Sequence, residues 1–335
     1  MKRLVHSILA LAIILTLGAA ACGDDDSGGK QGSLTKVTIM LDWTPNTHHT
    51  GMYVAREKGW YKDAGLDVQI VEPASGGVEQ VVGAGKAEFG VAVQESVIPA
   101  RAEGVPIVSI GAIKQHNDSS LIALASEKIA RPKDLSGKTY GGFGGALETA
   151  LVKQLVTCDG GDAEKVKFVE VGNIDYLAGM EANQFDFVWV FEGWDTIRYQ
   201  QVENKQTSSL KFVDYLKCIP DWYTPLIITN ESMIKKHPDT VRKFMEATTK
   251  GYEFAIANPD EAANILLKAA PELDSKLVKL SQQYHTTKYM DKGRQWGLQD
   301  KEIWVNFEKF LRDAKLTNKE VDVSKAYTND FLPKR

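Results

Sequence analysis

Short apolar runs rich in β-branched residues alternate with amphipathic stretches along the first two thirds of the chain. Residues 37–41, 66–71, 89–93, 105–113, 121–125, 166–171 and 185–191 read as strands, and 51–58, 76–85, 95–103, 147–156 and 174–182 as helices. Such alternation predicts α/β architecture, with largely parallel sheets covered by helices on both faces. Polar residues interrupt it at His116-Asn117-Asp118-Ser119-Ser120, and Asp221-Trp222-Tyr223-Thr224-Pro225 precedes the apolar run 226–229. Both interruptions read as crossings between two lobes, assigning 36–117 and 226–335 to lobe 1 and 118–225 to lobe 2. The remainder reads as helices at 237–258, 259–270, 274–284 and 300–314; in the first, Val241, Phe244, Ala247, Gly251 and Phe254 form a core stripe.

The opening residues follow a different pattern. Lys2 and Arg3 precede an apolar stretch at 8–17, and Ala19-Ala20-Ala21 leads into Cys22, so 1–21 reads as a signal peptide. The apolar stretch is too short to span a bilayer comfortably. A cysteine directly after small residues resembles the bacterial lipobox, although Ala19 stands where leucine is usual; the resemblance implies lipidation at Cys22 and attachment to the bacterial cell membrane from outside the cytoplasm. Residues 22–35 are polar and glycine-rich, the composition of a flexible tether, and Asp24-Asp25-Asp26 reads as a solvated run rather than a metal site. The formal net charge of −4 becomes more negative once Lys2 and Arg3 leave with the signal peptide, and no basic stripe with interleaved aromatics is present, which argues against nucleic acid as a partner. An extracytoplasmic setting permits Cys158 and Cys218 to pair; two free thiols fit the sequence nearly as well.

Candidate chemistry collects where strands end and helices begin, the position of ligand crevices in open α/β sheets. After the first strand comes Leu41-Asp42-Trp43-Thr44-Pro45-Asn46-Thr47-His48-His49-Thr50-Gly51, with a carboxylate, an indole, an amide and two imidazoles. Asp42, Trp43, Asn46 and His49 are taken as ligand contacts, against the plainer alternative of a core tryptophan and solvated histidines. Gln94 is a further candidate, next to the helix-capping Ser96. Gly141-Gly142-Phe143-Gly144-Gly145-Ala146-Leu147-Glu148 lets backbone approach a ligand, making Gly144, Gly145 and Glu148 candidates; no Gly-Lys-Ser/Thr closes it, so nucleotide hydrolysis is unsupported. The strand at 185–191 delivers Glu192, Trp194 and Asp195, with a helix cap as the alternative role for Asp195. Trp222 and Tyr223 complete the set. His48 and His49 suggest zinc only weakly, because adjacent side chains diverge and no carboxylate follows at ligand spacing; no metal or cofactor is assigned.

The 41–51 stretch with Tyr53-Val54-Ala55 resembles the opening motif of ABC-transporter substrate-binding lipoproteins for thiamine pyrimidine precursors. The likeness continues through Gln115-His116-Asn117, Pro132-Lys133-Asp134-Leu135, Val188-Trp189, Gly193-Trp194-Asp195, Tyr223-Thr224-Pro225 and Thr328-Asn329-Asp330-Phe331-Leu332-Pro333. It implies a type II periplasmic binding protein whose two lobes enclose a ligand cleft. It further implies a monomer that captures formylaminopyrimidine or a hydroxymethylpyrimidine-like relative, without chemistry, for an ABC permease and its ATPase. The superfamily also contains hydroxymethylpyrimidine phosphate synthases, whose reactive lysine, sacrificial histidine and cysteine-rich motif align with Ala92, Ser96 and the 219–223 region, so the consumed groups are absent here. Phe143, Gly144 and Glu192 depart from the residues usual in the family. The candidate set holds carboxylates and aromatics but no arginine or lysine, which disfavours nitrate, sulfonate and phosphate and suits a flat ring bearing N–H groups. Another flat heterocycle such as riboflavin, or a cationic amine, is the alternative ligand, and a pyrimidine-processing enzyme the alternative class.

Overall fold

A computed structural model describes residues 33–73 and 77–334. The expected signal peptide at 1–21, Cys22 and most of the stretch expected to form a tether lie outside the described residues. Ten strands run in chain order as β1 (Thr35–Met40), β2 (Leu66–Val71), β3 (Phe89–Ala92), β4 (Ile107–Ala112), β5 (Ser119–Leu124), β6 (Thr139–Gly142), β7 (Lys167–Glu170), β8 (Phe187–Phe191), β9 (Thr207–Lys211) and β10 (Leu226–Asn230). They form two five-stranded sheets, β2-β1-β3-β10-β4 and β7-β6-β8-β5-β9.

The two orders are equivalent, and in each sheet four strands run the same way, the largely parallel arrangement expected from the alternation, with one strand reversed. The strand that follows each crossing, β5 or β10, inserts antiparallel between two others. An amphipathic pattern reports burial but not strand direction, so the sequence could not distinguish the inserted strand from its neighbours. Strand β9 was not anticipated. Its sequence Thr-Ser-Ser-Leu-Lys buries only Leu210, as befits an edge strand paired on one side with β5. The helix expected at 237–258 is present as Pro238–Ala257, and a short helix not expected from the sequence, Glu231–Lys236, precedes it; Pro238 begins the long helix where its missing N–H costs nothing.

The first sheet buries Ile39, Phe89, Val91 and Ile227 against the Pro238–Ala257 helix, where Phe244 stacks on Phe89 with ring centroids 3.9 Å apart. This helix also meets the Thr50–Glu57 helix so closely that a Cβ on Gly251 would lie 1.9 Å from the Gly51 carbonyl oxygen. Only glycine permits that approach. The contact matters because the Thr50–Glu57 helix continues directly from the 41–49 turn.

Asp221 ties the two crossings together, accepting from the Asn117 N–H at 3.0 Å and bonding His116 Nδ1 at 2.6 Å. Cys158 and Cys218 form a disulfide, joining the end of the Ala146–Cys158 helix to the segment before β10. Among the described residues, no helix is long and apolar enough to cross a membrane.

Candidate functional site

A cavity of about 360 Å³ opens where the ends of β1 and β8 face each other. The turn after β1 contributes Asp42, Trp43, Thr44, Asn46 and His48. β8 and the two π-helical turns that follow it, Glu192–Thr196 and Arg198–Val202, contribute Trp189, Phe191, Trp194, Asp195, Arg198 and Tyr199. Wide π turns are enriched at functional sites because the extra residue per turn re-aims side chains. Trp43, Phe143 and Ile174 line the cavity although they are 47%, 55% and 41% exposed, so its mouth is an uncovered apolar surface.

The turn after β1 is locked from within and from behind. Asn46 accepts from the His48 N–H at 2.8 Å and donates through Nδ2 to the Thr44 carbonyl at 3.0 Å. Tyr252 donates to the His48 carbonyl at 2.6 Å, and the Tyr289 hydroxyl bonds the Thr47 carbonyl. His49 is wholly buried and stands behind the wall. Its Nδ1 accepts the Asn46 N–H at 3.3 Å, which leaves Nε2–H to donate to Asp42 Oδ1 at 2.7 Å. One Asp42 oxygen is thereby spoken for, while the side chain remains 23% exposed.

Across the cleft, Asp195 accepts the Phe191 N–H at 3.2 Å, and burial pushes its carboxyl up to about 6. Arg198 was absent from the sequence-derived set. It is paired with Asp175 at 2.6 Å and Glu203 at 2.5 Å, so its charge is satisfied within the protein.

The structure thus gathers Asp42, Trp43, Asn46, Trp194 and Asp195 around one cavity, with His49 bracing Asp42. The other candidates lie elsewhere. Glu148 closes a capping box, accepting from the Phe143 N–H at 3.0 Å, the Gly145 N–H at 3.1 Å and the Tyr140 hydroxyl at 3.0 Å; with Gly144 it lines a separate, smaller cavity. Glu192 accepts from Thr196 at 3.1 Å and from Ser209, pairs with Lys211 at 3.3 Å, and lines a third cavity beside the crossings. Gln94 is fully buried, its Oε1 accepting the Tyr223 N–H at 2.8 Å. Trp222 stacks on Phe307 in the core at 4.8 Å, and the buried Tyr223 hydroxyl accepts the Asp300 N–H at 2.7 Å. A strand-end position brings a residue near the crevice, but alternation of side chains decides which way it faces.

His48, Asp118 and His285 form a buried cluster whose ligand-type atoms lie within 4.8 Å of one another. Lys114 is fully buried beside it, with Nζ 3.1 Å from His48 Nε2 and 3.2 Å from Asp118 Oδ2. Asp118 also accepts from the Gly193 N–H at 3.0 Å and the Tyr284 hydroxyl at 2.6 Å. Gly193 is required here, since a Cβ would stand 2.1 Å from the His285 ring. The cluster joins residues up to 237 positions apart, so no local spacing announces it.

A family model described as NMT1/THI5 like matches residues 46–262. The chain is 28% identical over 310 residues to the formylaminopyrimidine-binding protein of Halalkalibacterium halodurans, covering 90% of each. It is also 28% identical over 314 residues to a 4-amino-5-hydroxymethyl-2-methylpyrimidine phosphate synthase of Legionella pneumophila, covering 89% of this chain and 93% of that protein. The fold matches the periplasmic aliphatic sulphonate binding protein SsuA of Escherichia coli at a TM-score of 0.69 and 13% identity, over 90% of this chain and 95% of the other. The architecture is therefore that of a type II periplasmic binding protein, two α/β lobes with a cleft between them.

Proposed function

The chain belongs to the NMT1/THI5-like family, and on that premise we propose that it is the extracytoplasmic solute-binding component of an ABC importer, capturing a thiamine pyrimidine precursor such as formylaminopyrimidine and passing it unchanged to a permease and its ATPase. The observation that carries this reading is the pairing of Asp42 and Asp195 with aromatic faces around one cavity whose arginine is already satisfied by two carboxylates. Such a wall accepts N–H donors and stacks a flat ring, and it offers an anion no free guanidinium. Asp42 and Asp195 accept from the exocyclic amine or the formamide N–H, Trp43 and Trp194 cover the ring, and Asn46 and His49 hold the turn. Strand membership in the two sheets supports lobe 1 at 36–117 with 226–335 and lobe 2 at 118–225. Lipidation at Cys22 keeps the protein at the outer face of the cell membrane, where a monomer presents both lobes to the permease.

The synthase reading is the rival, since a named synthase is a relative. Ala92, at the end of β3, offers no nucleophile, and the Ser96 hydroxyl is bonded to the Val93 carbonyl at 2.9 Å and to Glu79. The deciding experiment titrates the chain lacking residues 1–21 with formylaminopyrimidine, hydroxymethylpyrimidine, thiamine, riboflavin, taurine and nitrate by calorimetry and thermal shift, with mass spectrometry of the recovered ligand. A ligand at a hundred times its Kd adds about 2.7 kcal/mol of stability. Selective binding and intact recovery of a pyrimidine is expected. Conversion of the pyrimidine, or binding confined to taurine or nitrate, would overturn the proposal.

A further inference from the structure

The buried cluster beneath the cleft fixes a hydrogen-bonding polarity. His48 lines the cavity, packs edge-on against Phe191 at 5.4 Å, and directs Nε2 at the Lys114 ammonium. An ammonium only donates, so Nε2 must be the acceptor, and a neutral imidazole whose Nε2 accepts carries its proton on Nδ1. We propose that Lys114 is a positioning residue that fixes His48 as an N–H donor to the ligand, so that the ligand must present a hydrogen-bond acceptor to His48 alongside the N–H groups that Asp42 and Asp195 accept. This rests on the cavity being the ligand site.

The surroundings hold Lys114 to that task. Asp118 supplies the countercharge, and Gly193 and Tyr284 hold Asp118 in place. The Phe191 ring lies 5.2 Å from the ammonium, excluding water on that side. His285 donates Nδ1–H to the Ser281 carbonyl at 2.8 Å, which leaves its buried Nε2 a lone pair with no hydrogen-bond partner. The ammonium thus already engages the His48 and Asp118 atoms that a metal ion at this cluster would need, and a bound metal ion would compete with it. His48 stays neutral because burial and the nearby lysine hold its pKa well below the usual histidine value. The specificity that follows is for a heterocycle with donor and acceptor side by side, as an amine next to a ring nitrogen provides, over a ring that only donates.

Long-range proton–nitrogen NMR of the ligand-free protein reads the tautomer directly. Wild type is expected to show neutral His48 protonated at Nδ1, and Lys114→Met with Asp118→Asn, which removes the buried pair together, is expected to lose that fixed tautomer. His48 protonated at Nε2 in wild type, or histidine signals that move when EDTA is added, would overturn the assignment, the latter in favour of a metal ion. Calorimetry then compares formylaminopyrimidine with two analogues, one with C–H in place of the ring nitrogens and one lacking the formyl carbonyl. The double variant is expected to bind formylaminopyrimidine about tenfold more weakly while leaving one analogue within about twofold. Equal weakening of all three ligands, or none, would refute the role of Lys114. A correct tautomer in a wild-type protein that binds no member of the series would refute the ligand reading instead.

Discussion

Replacing Asp195 with asparagine is expected to stabilise the unliganded protein at neutral pH and to weaken its ligand at the same time. Desolvation dominates the environment of this carboxyl and raises its pKa from 3.8 to about 6, with the Phe191 N–H and Arg198 opposing the rise. The folded state therefore binds a proton more tightly than the unfolded chain does. Between pH 3.8 and about 6 the native protein holds more protons, so stability falls as pH rises through that window and stays reduced above it. At about 1.4 kcal/mol per unit, the penalty above the window reaches about 3 kcal/mol. Residual exposure to the cleft and the unmatched amide hydrogens of the variant reduce the expected gain to about 1–2 kcal/mol. Urea unfolding of both proteins across pH measures it: the curves should converge below pH about 4, part between pH about 4 and about 6, and stay apart above it, with Asp195→Asn the more stable. Calorimetric affinity for formylaminopyrimidine should drop in the variant at neutral pH, and the loss should shrink as acid protonates the wild-type carboxyl. A variant less stable than wild type at neutral pH, or a difference that does not change with pH, would refute the desolvation argument.

Other substitutions test the supporting structure. His49→Ala strands the buried Asn46 N–H and frees Asp42, so it should cost about 2–4 kcal/mol of stability and at least tenfold in affinity, whereas His49→Gln, which can accept and donate along the same line, should recover part of both in the same assays. Cys158→Ser with Cys218→Ser opens a loop with a sequence separation of 60, and chain entropy predicts a loss of about 4 kcal/mol in chemical denaturation with the ligand Kd little changed. His116 has a raised pKa, first from its hydrogen bond to Asp221 and then from the charges of Asp221 and Asp291. It should contribute stability below pH 6.5 that is lost as pH rises through the elevated value, so His116→Gln should flatten the decline above pH 6.5 measured by thermal unfolding.

Several features were legible in one dimension. Apolar runs read as strands mark seven of the ten within a residue or two, and the run at 226–229 coincides with an eighth, because burying one face of a strand or helix imposes a period that the order of residues shows. The cluster of Asp42, Trp43 and Asn46 after β1, and of Trp194 and Asp195 after β8, is visible because crevice residues follow strand ends. The polar breaks at 116–120 and 221–225 correspond to the chain passing between sheets.

Direction and partnership were not encoded locally. The antiparallel insertion of β5 and β10 depends on which neighbours each strand meets, a choice made by both sheets at once. Glu148 and Glu192 look like Asp42 and Asp195 in sequence, yet the first is consumed by its own helix start and the second by Thr196, Ser209 and Lys211. His49 and His48 are adjacent, but tertiary packing sends one behind Asp42 and the other toward Lys114, His285 and Asp118. Hydrophobic periodicity is a property of single segments and so belongs to the sequence. The pairing of buried polar groups requires each to find a partner wherever the chain brings one, and only the folded structure decides that.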